Sequence, residues 1–278
     1  MSARAEHKSG DWCIQIILAI AALFVLVPVA WVIAAGFRSQ ISLLVGAFWF
    51  TPNVASFNEV LFSKTSVFGR NFGNSLIVGA ASTALSLAAA TLGAYSLYRM
   101  RWPRWVRHVF LAWLLVFNMI PPITLAGAWF TLFRTLGLDN TLAGIVLAHT
   151  TLNLPTAFWL MAVFVQDVPQ ELEEAARIDG ASTPALLWRV IVPLVAPGMA
   201  ATAVLCFVFS WNEFPVALTL SSKATATVPV AIAKFAQDFE IQYTQMAASA
   251  ALSIIPAAIL LLICQRYIVK GLTMGAIK

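Results

Sequence analysis

Apolar residues fall into six long blocks along this chain, roughly 13–37, 72–98, 108–133, 141–166, 195–220 and 245–268, with short polar stretches between them. A helix needs on the order of 20 mainly apolar residues to cross a bilayer, and each block is long enough. The pattern predicts an all-α membrane protein with six transmembrane helices. Residues 13–268 form one membrane domain, and residues 1–12 and 269–278 form terminal tails. The first block is too long for the apolar part of a cleaved leader, and Phe37-Arg38-Ser39-Gln40 offers no cleavage site, so it is expected to be retained.

Composition agrees. Of 278 residues, 60% are hydrophobic and only 10% are charged, against about 25% charged in soluble proteins. The net charge of +5 comes from basic residues in short flanks between apolar blocks, which is no nucleic-acid footprint. Cys13, Cys206 and Cys264 all lie inside apolar stretches, without disulfide or metal spacing, so no metal site is expected. Lys and Arg set the orientation, because they favour the cytoplasmic side. With a cytoplasmic N-terminus, 11 of them fall inside and 6 outside, and the cluster Arg99, Arg101, Arg104 and Arg107 decides the sign. Both termini are then cytoplasmic.

Within the blocks, Gly79, Ser82, Ser86, Ala89 and Gly93 place small residues on one face of the second span. That allows close helix packing, or a sliding surface in a moving bundle. Pro121-Pro122, Pro155 and Pro256 predict kinks, whose freed carbonyls must face protein or a water-filled cavity. Asn118 and Asn153 precede two of these prolines and either cap freed backbone groups or line a polar path. Glu213, beside Asn212, is the one acidic residue inside a span, late in the fifth. It must face the bundle interior, as an anchor or as a substrate contact or gate. His149 begins the fourth span and reads as a packing or interfacial residue.

Five of the chain's 12 acidic residues lie between Asp167 and Asp179. Pro169 suits a first helical turn, Glu171, Glu173 and Glu174 suit the positive end of its dipole, and Gly180 suits a left-handed stop. Thr183 as cap and Pro184 at the first position restart a helix. Pro193 and Pro197 then separate this segment, 167–193, from the fifth span. Two short helices joined by a tight turn result. Leu172, Ala175 and Ala176 share one face, open either to docking in a groove or to the chain's own bundle.

Glu174-Ala175-Ala176, three residues, Gly180, nine residues, then Val190 to Pro193 resembles the signature loop of permease subunits of binding-protein-dependent ABC importers. Val190 and Val192 stand where members often carry Ile and Leu. Asn74-Ser75, Trp211-Asn212-Glu213-Phe214 and the tail Gly271 to Ala276 are similar to the carbohydrate branch, the six-span subunit of the maltose-type transporter above all. The resemblance implies a type I ABC importer permease fold in the bacterial inner membrane, with a cytoplasmic coupling helix after Pro169. Glu171, Glu174, Ala175, Ala176, Asp179 and Gly180 would couple to the ATPase, and Asn118, Asn153, Asn212 and Glu213 are candidates for the translocation path. The implied partners are a second permease, an ATPase dimer and a periplasmic binding protein that delivers a sugar or sugar derivative. The binding protein would meet the loop at about 221–244, with Lys223, Lys234, Asp238 and Glu240. The tail would reach toward the ATPase.

The chain has no Gly-x-x-x-x-Gly-Lys-Ser/Thr phosphate loop, so no cofactor is expected in it and ATP and Mg would be bound by the partner ATPase. Two rivals stand. An ion-coupled secondary transporter wants midplane ion ligands and repeated halves, and Glu213 is the one suitable carboxylate. An integral-membrane enzyme wants paired carboxylates or clustered histidines, whereas His7, His108 and His149 are dispersed.

Overall fold

The computed structural model describes residues 3–236 and 241–274; for residues 3–11, 13 and 266–274 it describes the backbone alone. Asp238, Glu240 and the chain end after Met274 lie outside the described residues, as do the side chains of Cys13 and of the tail from Gly271. Every regular element among the described residues is a helix. Long helices α1 (Ala3–Gly36), α4 (Phe68–Arg99), α7 (Leu142–Asp167) and α13 (Tyr243–Met274) match four of the apolar blocks. The expected tails are partly helical, since α1 starts at Ala3 and α13 runs to Met274.

Two blocks differ from expectation, both through proline. The third block is not one kinked helix. It breaks into α5 (Arg104–Met119) and α6 (Pro122–Thr135), bent by 101°. A residue before proline is pushed out of the helical region. Here that happens twice running, so Ile120 (ψ 122°) and Pro121 (ψ 133°) are both extended. Among the described residues, five helices are therefore long and apolar enough to cross a membrane, or six when the bent pair counts as one span.

The fifth block begins earlier than expected. Pro193 and Pro197 do not separate the polar segment from it, because residues 183–212 form one continuous helical rod. The rod comprises α9 (Thr183–Leu186), a π-helical turn (Leu187–Ile191) and α10 (Val192–Asn212). In an ideal α-helix the Pro193 ring would meet the carbonyl of Arg189. The wider π turn just before it, with Val192 N–H donating to Leu187 O, re-spaces those carbonyls and lets the rod continue. The rod then stops at Glu213, seven residues before the expected 220, and α11 (Pro215–Leu220) follows.

The chain divides into two compact units. The first holds Met1–Phe68 with Ile232–Ile254. In it α2 (Gln40–Leu44) and α3 (Ala55–Phe62) follow α1, whose apolar residues from Ile14 onward are largely exposed within the chain. Buried Arg38 donates to Ala47 O at 2.9 Å and lies over the rings of Trp31 and Phe50. Gln40 ties α2 to the opening of α13 through Ile241 O and Thr244.

The second unit holds Gly69–Ala231 with Ile255–Lys278 and carries the larger core. Leu114, Phe158, Met161, Val165, Leu186 and Ile191 are fully buried where α4, α5, α7 and the rod meet. The small-residue face of α4 packs inside this unit. Ser82 bonds Ser210, Ser86 donates to Thr150 O, and a methyl group on Gly79 would meet the Phe207 ring at 2.9 Å. Ala89, expected on that face, is exposed, and Ala90 is buried instead. Gly198 of the rod carries the tightest approach, since an added Cβ would lie 2.2 Å from the Phe164 ring of α7. Asn74 fastens the head of α4 to Ala224 O and Ala226 O, just ahead of α12 (Val228–Lys234).

Candidate functional site

The acidic segment folds as helix α8, Gln170–Ile178, with Pro169 as its N-cap rather than inside the first turn. Its end is a complete Schellman stop. Ala181 N–H donates to Ala176 O at 2.9 Å, Gly180 N–H donates to Arg177 O at 3.0 Å, and Gly180 takes φ 85°. The next helix starts one residue earlier than expected, capped at Ser182, with Thr183 as its first residue.

Glu173 is the buried residue of α8, 5% exposed. Its Oε1 lies 2.8 Å from Arg99 Nε, and its Oε2 accepts from the Tyr95 hydroxyl at 3.3 Å. The same guanidinium donates through Nη2 to Val165 O at 2.8 Å and to Val168 O. These carbonyls belong to the final turn and cap of α7, where helices leave acceptors free. Arg99 itself sits in the last turn of α4, where a cation suits the helix dipole.

With Glu173 inward, the 100° step per residue turns Glu171, Ala175 and Ile178 outward. All three are exposed, as are Glu174, Asp179 and Gly180. The expected shared face is therefore split. Leu172 and Ala175 are exposed, but Ala176 is half-buried against the bundle core. Sequence reasoning set Glu173 among the dipole-facing acids and Arg99 among the topology charges, and missed that they pair. The available signal was that adjacent glutamates cannot share a helix face.

A second polar cluster lies along α7, where His149 is about 27 Å of helix from the α8 junction at 1.5 Å per residue. A cavity of about 390 Å³ is lined there by Asn118, His149, Asn153, Thr156, Ser210 and Glu213, with Phe117, Ile120 and Phe209 among its apolar walls. Three of the four expected path residues thus converge. Asn212 does not line this cavity; it is exposed and donates back to Val208 O at 2.8 Å. Asn153 is buried and donates to Cys206 O at 3.1 Å, so it satisfies a rod carbonyl as well as facing the cavity.

Glu213 occupies the break between α10 and α11. Its two oxygens accept from Val216 N–H at 2.9 Å and Ala217 N–H at 2.8 Å, capping α11. One of them also lies 3.2 Å from His149 Nε2. His149 is 1% exposed, and its Nδ1 lies 2.7 Å from Ser210 Oγ, which receives a hydrogen bond from Ser82. The expected packing or interfacial histidine is thus a buried member of a polar chain joining α4, α7 and the rod. The missed signal was its spacing of four from Asn153, which puts both on one helix face.

Membrane-length apolar helices, one of them broken at a double proline, with a polar-lined cavity and a short charged helix, define a multi-pass membrane protein. Residues 82–274 match the family described as the binding-protein-dependent transport system inner membrane component, and the chain belongs to it. It is 33% identical over 259 residues to the trehalose transport system permease protein SugB of Mycobacterium tuberculosis, covering 92% of this chain and 93% of that one. The sulfoquinovosyl glycerol transport system permease protein SmoH of Agrobacterium fabrum is 33% identical over 91% of this chain and 89% of its own. For the trehalose/maltose transport system permease protein MalG of Thermococcus litoralis the figures are 33%, 95% and 94%. In fold, the chain superposes on a chain of a bacterial ABC transporter involved in the import of the acidic polysaccharide alginate, with a TM-score of 0.75 at 24% identity, covering 95% of this chain and 98% of that one.

Proposed function

We propose that this chain is the permease subunit of an ATP-driven importer for a sugar or sugar derivative in a bacterial inner membrane. Its termini and α8 face the cytoplasm, as the excess of Lys and Arg on that side supports. A second permease completes the translocation path. A periplasmic binding protein delivers the substrate, and a separate ATPase dimer binds ATP and Mg. The relatives' names, which specify trehalose, sulfoquinovosyl glycerol and maltose, support the substrate class.

The observation that carries the reading is the build of α8. A nine-residue helix exposes Glu171, Glu174 and Ala175 on its outer side, ends in a rigid left-handed glycine, and is anchored by a buried ion pair. Such a helix suits a groove on a partner, the helix-in-groove mode. Glu171, Glu174, Ala175, Asp179 and Gly180 form the ATPase-coupling surface, and Ala176 seats it on the bundle. Asn118, Asn153 and Glu213 flank the cavity as this subunit's share of the path.

The test uses the assembly purified from its native membrane through a tag on this chain and reconstituted in vesicles. Glu174→Lys is expected to abolish ATP-driven uptake while the membrane subunits still copurify. Wild-type uptake and wild-type substrate-stimulated ATP hydrolysis in that variant would refute the coupling assignment.

A further inference from the structure

We propose that the buried cluster of Glu173, Arg99 and Tyr95 is the bolt that carries force from α8 into the membrane helices, making Glu173 a positioning residue for coupling. The proposal rests on the reading of α8 as the coupling helix.

A push on α8 does work on the bundle only through contacts that resist sliding. Apolar contact is non-directional, and small aliphatic surfaces shear past one another readily. The cluster is directional. Arg99 Nε meets Glu173 Oε1 at 2.8 Å, the Tyr95 hydroxyl one turn earlier on α4 donates to the other oxygen, and Arg99 Nη2 holds two carbonyls at the end of α7. One guanidinium therefore ties three helices at a single point. The side chains of Arg99 and Glu173 are only 6% and 7% exposed, so the contact is screened far less than a surface pair.

Energy points the same way. A buried ion pair is a poor net stabiliser, because desolvation consumes most of its attraction. An apolar pair of equal volume would hold α8 at least as firmly. What the ion pair adds is one allowed register. Glu171 and Glu174 are exposed and so offer no such buried contact.

The experiment measures uptake per ATP hydrolysed in the purified, reconstituted assembly. Docking of α8 is read separately, through a cross-link from Ile178→Cys, an exposed position on its outer face, to the ATPase subunit. In Glu173→Gln, which keeps the shape and removes the charge, the cross-link is expected to persist. Uptake per ATP is expected to fall about tenfold, because the neutral amide leaves the buried Arg99 guanidinium without its counter-charge. Glu173→Asp, which restores the charge on a shorter arm, is expected to recover part of the loss, which a merely space-filling role would not produce. Uptake per ATP at the wild-type value in Glu173→Gln, with the cross-link intact, overturns the bolt alone. Absence of the cross-link in an otherwise unaltered chain overturns the coupling reading itself. Should Glu173→Gln fail to assemble, Tyr95→Phe removes a single hydroxyl and reads the same ratio, and a wild-type ratio there overturns the proposal.

Discussion

Replacing Glu213 by alanine removes the carboxylate that caps α11 at its corner with α10. Val216 and Ala217, whose N–H groups it accepts, are both fully buried residues, and alanine offers those N–H groups no acceptor. A hydrogen bond to a charged group contributes about 1.5–3 kcal/mol, which puts the two together at about 3–6 kcal/mol. Removing the carboxylate also leaves the His149 ring facing an empty corner of the cavity. Glutamine keeps one acceptor oxygen and loses the charge, so Glu213→Gln should cost about half as much. The assay pairs the thermal inactivation midpoint of the purified assembly with uptake into vesicles. The expected order of stability is wild type, then Glu213→Gln, then Glu213→Ala, with uptake and stimulated ATP hydrolysis lost in parallel with stability. Wild-type stability in Glu213→Ala with uptake lost would refute bracing as its role and leave it a substrate contact.

Asn212→Ala should be nearly silent, within about 0.5 kcal/mol in stability and near wild type in uptake, because its side chain is exposed and bonded only to its own helix; strong loss of uptake would return it to the path. Gly180→Pro should abolish uptake with the membrane subunits still assembled, since proline cannot take φ 85° and has no N–H for Arg177 O; copurification and uptake check this together. Gly198→Ala should lower the thermal midpoint of the assembly by forcing Phe164 aside, at about 1–3 kcal/mol for an overpacked core.

The long helices were legible because an apolar block of that length has few other fates in a bilayer. Breaks were harder to place. Two consecutive prolines multiply the pre-proline constraint, so block three turns a corner at Ile120-Pro121 rather than kinking. Pro193 breaks nothing, because a π turn at 187–191 absorbs it, and nothing in the local sequence announces that turn. The stop at Gly180 was readable from one residue, since glycine is the residue that accepts a left-handed conformation cheaply. The orientation of α8 was not. Which of Glu171, Glu173 and Glu174 turns inward depends on where Arg99 arrives from α4, 74 residues away in the chain. The link between His149 and Glu213 was hidden for the same reason, because partners 64 residues apart meet only after α7 and the rod have packed.

In the proposed function this permease moves its substrate with energy delivered through α8 by a separate ATPase. The direct measurement is uptake of a labelled sugar by vesicles holding the assembly with its binding protein, with ATP inside and every ion gradient collapsed by ionophores. The expected result is full uptake that stops when ATP is withdrawn and is absent with Glu174→Lys. Uptake that survives loss of ATP and disappears with the ion gradient would contradict it.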